Sequence, residues 1–207
     1  MQYKELIGGI KKFEGSFWFG EYVYFKALER LESVRADLSR LETNEHVKQI
    51  IKMFLIQWGR MGRTVDREGL NWEQLAKQLR NSKEIFQKLQ GKTLLDINLD
   101  EEETATLIKE AYKSARVRHI GPTAISKILH LLNPELFVMW DEDIRREYGV
   151  RGSATGYLKF LKKMKRELKE ALEEELKGRG KVKRKLQKEF VENFQARSLV
   201  EDMIERR

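Results

Sequence analysis

Residues 118–134, RHIGPTAISKILHLLNP, together with Trp140 and Asp141, decide how this chain can fold. Gly121 permits a turn with a positive φ, and Pro122 suits the first position of a helix because the amide hydrogen that proline lacks has no partner there. The residues that follow carry apolar side chains at helical spacing, and the final Asn-Pro pair ends the pattern. The stretch therefore predicts a tight turn and then a helix with an exposed N-terminus, which is a favourable place for a phosphate.

The composition of the 207-residue chain favours an all-α fold. Only two prolines occur, and the chain is rich in Leu, Lys, Glu and Arg, which are strong helix formers. The apolar fraction of 41% suffices for a core, and the charged fraction of 36% exceeds the roughly 25% of typical soluble proteins. So many charged residues, with no cysteine, are also typical of a heat-adapted source.

The residue types exclude several kinds of site. The absence of cysteine excludes disulfides, thiolate metal sites and iron–sulfur clusters. The three histidines do not stand at metal-ligand spacing, so we expect neither a metal nor another cofactor. No run approaches the roughly 20 apolar residues of a membrane span, and the first residues lack the pattern of a signal peptide. We therefore expect a cytoplasmic protein without membrane contact.

The net charge of +8 permits nucleic-acid binding without requiring it. Residues 177–188 contain seven Lys or Arg and no acid, and they form either a solvated basic segment or an arm that faces phosphate. Arg60 and Arg63 lie between two helical stretches, where they either reach phosphate or cap carbonyl groups at a helix end. The aromatic residues of 13–25 form either part of the core or a surface that stacks bases.

Hydrophobic periodicity and capping residues predict helices along most of the chain. Asn44, Asn71 and Ser82 are expected as N-caps, Gly149 as a C-terminal stop, and Ser153 or Thr155 as the cap of a long amphipathic helix. Residues 91–99 read as a linker held by apolar side chains. The predicted helical regions are 3–42 with an internal turn, 44–58, 71–80, 82–89, 101–115, 123–132, 142–148, 157–176 and a last helix at the end of the chain.

The opening stretch and the acidic segment beyond it resemble the helix–hairpin–helix motif of the base-excision DNA glycosylases, the superfamily that includes endonuclease III, the adenine glycosylase MutY and the 8-oxoguanine glycosylases. Gly121 matches the second glycine of that family's turn, and Asp141 matches its catalytic aspartate. Ile144 and Arg146 match the apolar residue and the arginine that follow the aspartate. The interval of 18 residues from Thr123 to Asp141 is the one the family uses.

The chain departs from the family's pattern at two positions. His119 stands where the first turn glycine is expected, and Thr123 stands where the bifunctional members carry the lysine that forms a Schiff base. Lys127 follows four residues later and so shares a helix face with Thr123. The resemblance therefore implies a monofunctional DNA N-glycosylase, in which Asp141 acts and water is the nucleophile. Lyase activity through Lys127 stays open.

The resemblance also implies a fold and a set of partners. In a single globular unit of residues 1–207, we expect a middle helical subdomain of 44–132 that ends in the helix–hairpin–helix at about 101–132. The second subdomain comprises 1–43 plus 133–207, and the motif lies at the cleft between them. The partner is double-stranded DNA with a damaged or mismatched base, bound by a monomer in the nucleoid. The residues expected to contact DNA are Arg60, Arg63, Arg118, His119, Gly121, Thr123 and Arg146.

The sequence leaves a second interpretation open for two residues and for the function of the whole chain. Trp58 and Trp140 are candidates for the wall of a base pocket, although Trp140 suits the core better. Asp141 also suits the N-cap of the helix 142–148, and the two roles are compatible. The whole chain reads alternatively as a non-catalytic DNA- or RNA-binding protein that keeps the hairpin as a phosphate clamp.

Overall fold

The computed structural model describes residues 19–38, 45–58, 61 and 69–178, and its regular structure is entirely helical. The prediction of an all-α protein is confirmed for these residues, among which there is no strand. Helix α3 continues without a break into a π-helical turn over Phe54–Trp58. The helices are α1 (Phe19–Arg30), α2 (Glu32–Ala36), α3 (Glu45–Met53), α4 (Trp72–Asn81), α5 (Lys83–Leu89), α6 (Glu102–Ser114), α7 (Pro122–Leu132), α8 (Glu142–Glu147) and α9 (Ala154–Gly178).

The apolar faces of the first helices pack as their periodicity predicts. Helix α1 packs against α3 and against the π-helical turn. The interior positions predicted for this region are all buried, which confirms the periodicity argument: they are Val47, Ile50, Ile51, Phe54 and Leu55. In α4, the side chains predicted to face inward, Trp72, Leu75 and Leu79, are buried as well.

The caps of α4 and α5 differ from each other. Asn71 Oδ1 accepts a hydrogen bond from the Gln74 amide at 3.0 Å, so the predicted cap of α4 is confirmed. Ser82 makes no side-chain cap bond at the start of α5, and its prediction as a cap is wrong. The reason is that the Ser82 amide still donates to carbonyls at the end of α4, and its φ of −101° and ψ of 15° lie outside the extended region that an N-cap needs.

The linker between α5 and α6 is held to the C-terminal end of α7. Its apolar anchors Leu94, Ile97 and Leu99 are buried, as predicted. The amide of Leu94 donates to the carbonyl of Glu135 at 2.9 Å. Asn133, directly after α7, donates its side-chain amide to two carbonyls at the other side of the linker, at 3.0 and 3.3 Å.

Helix α7 is the central helix of the described fold. It packs against α6, from which the loop of residues 115–121 separates it. Because α7 is apolar around most of its circumference, it is buried almost throughout, as such helices are in protein interiors. Its buried residues are Ala124, Ile125, Ser126, Ile128, Leu129, His130, Leu131 and Leu132.

An aromatic cluster joins α6 and α9 to the segment before α8. Trp140, 1% exposed, packs edge-on against Tyr112 of α6 and Tyr157 of α9, with ring centroids 6.1 and 4.9 Å apart. The hydroxyl of Tyr157 donates to the carbonyl of Val138 at 2.9 Å. Burial raises the pKa of Tyr157 well above its usual value, so it stays a neutral donor.

His130, in the last turn of α7, is buried with both ring nitrogens engaged. Its Nδ1 lies 2.7 Å from the carbonyl of Phe137, and its Nε2 lies 2.8 Å from the hydroxyl of Tyr24. A carbonyl only accepts, so Nδ1 carries the proton and Tyr24 donates to Nε2. Burial lowers the pKa of His130 to about 4, and the carbonyl of Phe137 and the charge of Arg35 act in opposite directions on it.

The turns around α8 and α9 follow their sequence signals. Gly149 has a φ of 59° and ends α8, as predicted, and the amide of Val150 closes the turn on the carbonyl of Arg145. Ser153 is the cap of α9, because its Oγ accepts from the Gly156 amide at 3.1 Å. Thr155 lies inside the first turn of α9 and does not cap it.

The chain divides into two compact units, of which Glu14–Arg166 is one and residues 167–178 belong to the other. The predicted subdomain boundaries at 44 and 132 both lie inside the first unit, and the two-subdomain arrangement stays a prediction. Among the described helices, none has the length and apolar character needed to cross a membrane. The basic residues after position 178 lie outside the described part of the chain.

Candidate functional site

The loop before α7 turns at His119 instead of at Gly121. His119 is exposed and has a φ of 65°, in the left-handed region that few non-glycine residues adopt. Gly121 has a φ of −84° and a ψ of 173°, so the prediction of a positive φ at Gly121 is wrong. The tight bend comes two residues earlier because the amide of Ile120 closes on the carbonyl of Val117 at 3.1 Å, and Gly121 is then the extended N-cap.

The N-terminus of α7 lacks a side-chain cap. Gly121 has no side chain to accept from the first amides, and Pro122 contributes no amide hydrogen. The amides of Thr123 and Ala124 precede the first intrahelical donor, Ile125, whose amide bonds to the carbonyl of Gly121 at 3.0 Å. A Cβ placed on Gly121 would meet no atom within 4 Å, so this glycine is required neither by its φ nor by its neighbours.

Ser126 fastens the segment before α8 to α7. Its Oγ accepts from the amide of Trp140 at 3.1 Å, and its hydroxyl hydrogen is within reach of the carbonyls of Thr123, at 2.9 Å, and Trp140, at 3.2 Å. The indole Nε1 of Trp140 donates to the carbonyl of Pro122 at 2.9 Å. These bonds fix the residue before Asp141 against the first turn of α7. We call this arrangement the Ser126 clasp.

Asp141 is exposed and is the N-cap of α8. Its Oδ1 accepts from the amide of Ile144 at 2.8 Å, in the role that the sequence left open as an alternative. The bond from the Ile144 amide occupies one carboxylate oxygen and so orients the side chain. The backbone of Asp141 is extended, as is usual for an N-cap. The other carboxylate oxygen has no bond to the described residues. Asp141 therefore presents an oriented carboxylate at the surface beside the clasp.

Lys127 is the only lysine of α7. It is half-buried, and burial lowers its pKa below the usual value, whereas the negative charge of Asp141 raises it. The structure thus brings together the two residues that the sequence proposed for catalysis, Asp141 and Lys127, in electrostatic contact.

Two consecutive arginines of α8 have different surroundings. Arg146, the residue predicted to contact DNA, is exposed and pairs with Asp143 at 3.2 Å and Glu142 at 3.3 Å. Arg145 is half-buried, donates from Nε to the carbonyl of Asp141 at 3.1 Å, and holds its guanidinium carbon 5.7 Å from the centre of the Trp140 ring. The sequence pattern missed Arg145, although its position four residues after the N-cap is a signal for contact with that end of the helix.

The other predicted residues fall into three groups. Arg118 and Thr123 lie at the loop and the first turn of α7 with His119 and Gly121, and Arg118 is exposed. Trp140 lies in the aromatic core, so in this position its ring faces protein instead of an open pocket. Arg60 and Arg63 and the side chain of Trp58 lie outside what the structure describes.

No group of three or more His, Asp or Glu in the described ranges is placed to hold a metal ion. Comparison of the chain with models of protein families, with curated protein sequences and with solved structures gives no match. The geometry around α7 and Asp141 is therefore the basis for any functional argument.

Proposed function

We propose that this protein is a DNA N-glycosylase of base excision repair that binds double-stranded DNA through a helix–hairpin–helix formed by α6, the 115–121 loop and α7. It cleaves the N-glycosidic bond of a damaged or mismatched base with Asp141, and it acts in the cytoplasm on the nucleoid. The observation that carries the proposal is the fixed placement of an oriented, exposed carboxylate beside the uncapped N-terminus of α7.

The loop supports the phosphate-binding half of the proposal. The amides of Thr123 and Ala124 point along the axis of α7 from its positive end, where an anion is stabilised. No atom lies within 4 Å of the position that a Cβ would take at Gly121, so the backbone is open at the point where a phosphate would approach. Arg118 and His119, both exposed on the loop, add donors beside this space. A phosphate of the DNA backbone can accept from the amides of Thr123 and Ala124, which precede the first intrahelical donor of α7.

The carboxylate of Asp141 supports the catalytic half. Hydrolysis of an N-glycosidic bond passes through a cation-like sugar, which a nearby carboxylate stabilises. The bond from the Ile144 amide fixes the direction of the carboxylate, so no reorganisation is needed when the positive charge develops. The same carboxylate can accept a proton from the attacking water. The base must leave the helix stack before this chemistry occurs.

Lys127 is given a supporting role in this mechanism. Its positive charge lies within electrostatic range of the Asp141 carboxylate. A depressed pKa also makes a lysine more nucleophilic, so a Schiff base with the opened sugar is the route that lyase activity would take. Trapping with borohydride on DNA that carries a damaged base decides this: a covalent adduct refutes the monofunctional mechanism, and no adduct supports it.

A second function has an observation in its favour. Asp141 and Trp140 both have complete structural roles, the first as a helix cap and the second in the aromatic core. A protein that only binds nucleic acid, with the loop as a phosphate clamp, needs nothing more from these two residues. The decisive experiment must therefore separate the cap function of Asp141 from its charge.

Asp141→Asn achieves this separation, because asparagine and aspartate cap helices about equally well. We expect Asp141→Asn to change the free energy of unfolding by only a few tenths of a kcal/mol and to keep duplex binding, while excision falls about 100-fold or more. The measurement is alkali-induced nicking of duplexes that contain uracil, hypoxanthine, 8-oxoguanine or methylated bases. Asp143→Asn, exposed on the same helix and paired with Arg146, is the matched control and should leave excision unchanged.

Each result has a definite meaning. Excision by the wild type that persists in Asp141→Asn contradicts the role given to Asp141. Binding by the wild type without excision of any base in the panel supports the second function over the first. Failure of the wild type to bind duplex DNA refutes the first function, and failure to bind RNA as well refutes the second.

A further inference from the structure

The guanidinium of Arg145 is held in one place by three neighbours. Its Nε donates to the carbonyl of Asp141, and its plane lies near the Trp140 ring. The third neighbour is Gly152, where a Cβ would come within 2.5 Å of Arg145 Nη1 and of Pro122 Cγ. Because residue 152 is a glycine, the guanidinium can lie in the space between it and Pro122 at the start of α7. An arginine fixed in this way has already lost most of its side-chain entropy before any ligand binds.

The fixed guanidinium has no anionic partner in the described part of the chain. Arg145 forms no ion pair there, and its only described hydrogen bond is the one from Nε, so both Nη groups are left without an acceptor. Arg146, one residue later and far more exposed, has two carboxylates. The chain thus satisfies the arginine that faces solvent and leaves the preorganised one without a counter-ion.

The surroundings of Arg145 are rich in donors and in positive charge. The hydroxyl of Tyr112 is buried and has no hydrogen-bond partner, and it is the one such side-chain atom among the described residues. Burial raises the pKa of Tyr112 to about 12, and the charges of Arg145 and Arg116 act against that rise, which places both arginines within electrostatic range of Tyr112. Arg151 is exposed in the loop beside Gly152. The Asp141 carboxylate lies nearby, but among the described residues no carboxylate forms a hydrogen bond with Arg145.

The negative charge of Asp141 limits which class of anion can bind to Arg145. Asp141, whose carbonyl holds Arg145, carries a negative side chain at the surface next to it. A free phosphate with two charges is repelled more strongly by that carboxylate than a phosphodiester with one. A planar guanidinium with two free Nη groups matches the two unesterified oxygens of a phosphodiester.

We propose that Arg145, and not the Arg146 indicated by the sequence pattern, binds a backbone phosphodiester of duplex DNA at the edge of the site formed by the 115–121 loop and Asp141. Arg145 is a binding residue in this scheme and takes no part in bond cleavage. The inference rests on the proposed function, which supplies the duplex, and it names a contact that the resemblance does not.

Salt dependence of duplex binding tests the inference. A lost phosphate contact lowers the slope of log affinity against log salt by about 0.9. We expect Arg145→Gln to show this change and to bind an undamaged, fluorescein-labelled duplex about tenfold more weakly. Arg146→Gln removes the same formal charge from the same helix, but the charge it removes is already neutralised, so its slope and affinity should stay close to the wild type. Inorganic phosphate, added at matched ionic strength, should compete only weakly with the duplex.

Arg145→Lys is the second variant, in case the loss of the Asp141 contact prevents Arg145→Gln from folding. Lysine keeps the charge but lacks the planar fork, so we expect an affinity between the wild type and Arg145→Gln, with the slope nearly restored. Equal slopes in the Arg145 and Arg146 variants, with wild-type binding intact, overturn this inference and leave the proposed function standing. Strong competition by inorganic phosphate overturns the assignment to a phosphodiester. A wild type that does not bind duplex DNA overturns both proposals.

Discussion

Lowering the pH from 7.5 to 5 should destabilise this protein through a single buried side chain, His130. In the unfolded chain a histidine takes up a proton near pH 6.5, whereas in the folded protein His130 does so only near pH 4. Between these values the unfolded state binds more protons than the folded state, so stability falls as the pH is lowered. The contribution is fully present above about pH 6.5 and is lost progressively down to about pH 4.

The magnitude follows from the separation of the two pKa values. A difference of about 2.5 units corresponds to about 3 kcal/mol when the loss is complete. At pH 5, where most carboxylates are still ionised, the same relation gives a loss of about 2 kcal/mol. That is a substantial part of the 5–15 kcal/mol that typically separates folded from unfolded domains. The physical cause is burial of the ring among Tyr24, Phe137 and Arg35, whose positive charge opposes a second one nearby.

Urea denaturation of the wild type and of His130→Asn at several pH values provides the measurement. Asparagine keeps an amide donor near the position of Nδ1 and removes the titrating group, so its own cost is similar at every pH. The difference in stability between the two proteins should shrink by about 2 kcal/mol between pH 7.5 and 5. His119→Asn, an exposed position with a φ that asparagine adopts readily, should change stability at neutral pH by less than about 0.5 kcal/mol. A constant difference between the wild type and His130→Asn across this range would refute the account of His130.

Two further predictions concern the Ser126 clasp and the glycines. Ser126→Ala leaves the buried amide of Trp140 without an acceptor and should lower the free energy of unfolding by about 1–3 kcal/mol; Ser114→Ala, which removes only a bond to a carbonyl one turn back in its own helix, should cost less in the same urea titration, and equal costs would contradict the clasp. Gly149→Ala should cost about 1 kcal/mol because of its positive φ. Gly121→Ala should cost about 0.5–1 kcal/mol, because glycine is a better N-cap than alanine, and it should also weaken binding to a labelled duplex. Unchanged binding by Gly121→Ala contradicts the role given to its open space.

Much of the helical framework was predictable because it depends on local patterns. The spacing of apolar residues gave the buried face of α3 correctly, and Asn71 and Gly149 marked helix ends through their own backbone chemistry. These signals lie within a few residues of the feature that they determine. Ser82 is not a cap because another local constraint acts on it. Its amide donates to carbonyls at the end of α4, and this bonding keeps its backbone angles outside the range of an N-cap.

The candidate site was less predictable because its geometry depends on contacts across the chain. The sequence proposed Asp141 and Lys127 for one site through the resemblance to the glycosylase motif. It could not reveal that Ser126 bonds to Trp140 fourteen positions later, or that Gly152 makes room for the Arg145 guanidinium. The position of the turn also depends on the bond from the Ile120 amide to the Val117 carbonyl, which places the left-handed residue at His119.

The Ser126 clasp has a mechanical consequence for any molecule that touches this surface. Because Trp140 is bonded through both its amide and its indole to the first turn of α7, the loop and Asp141 form one stiff body across the intervening chain. The loop and the carboxylate can change their separation only if these bonds are distorted or broken. The protein therefore sets the separation between the loop and the Asp141 carboxylate. A ligand that contacts both must match this separation, by bending if its own spacing differs.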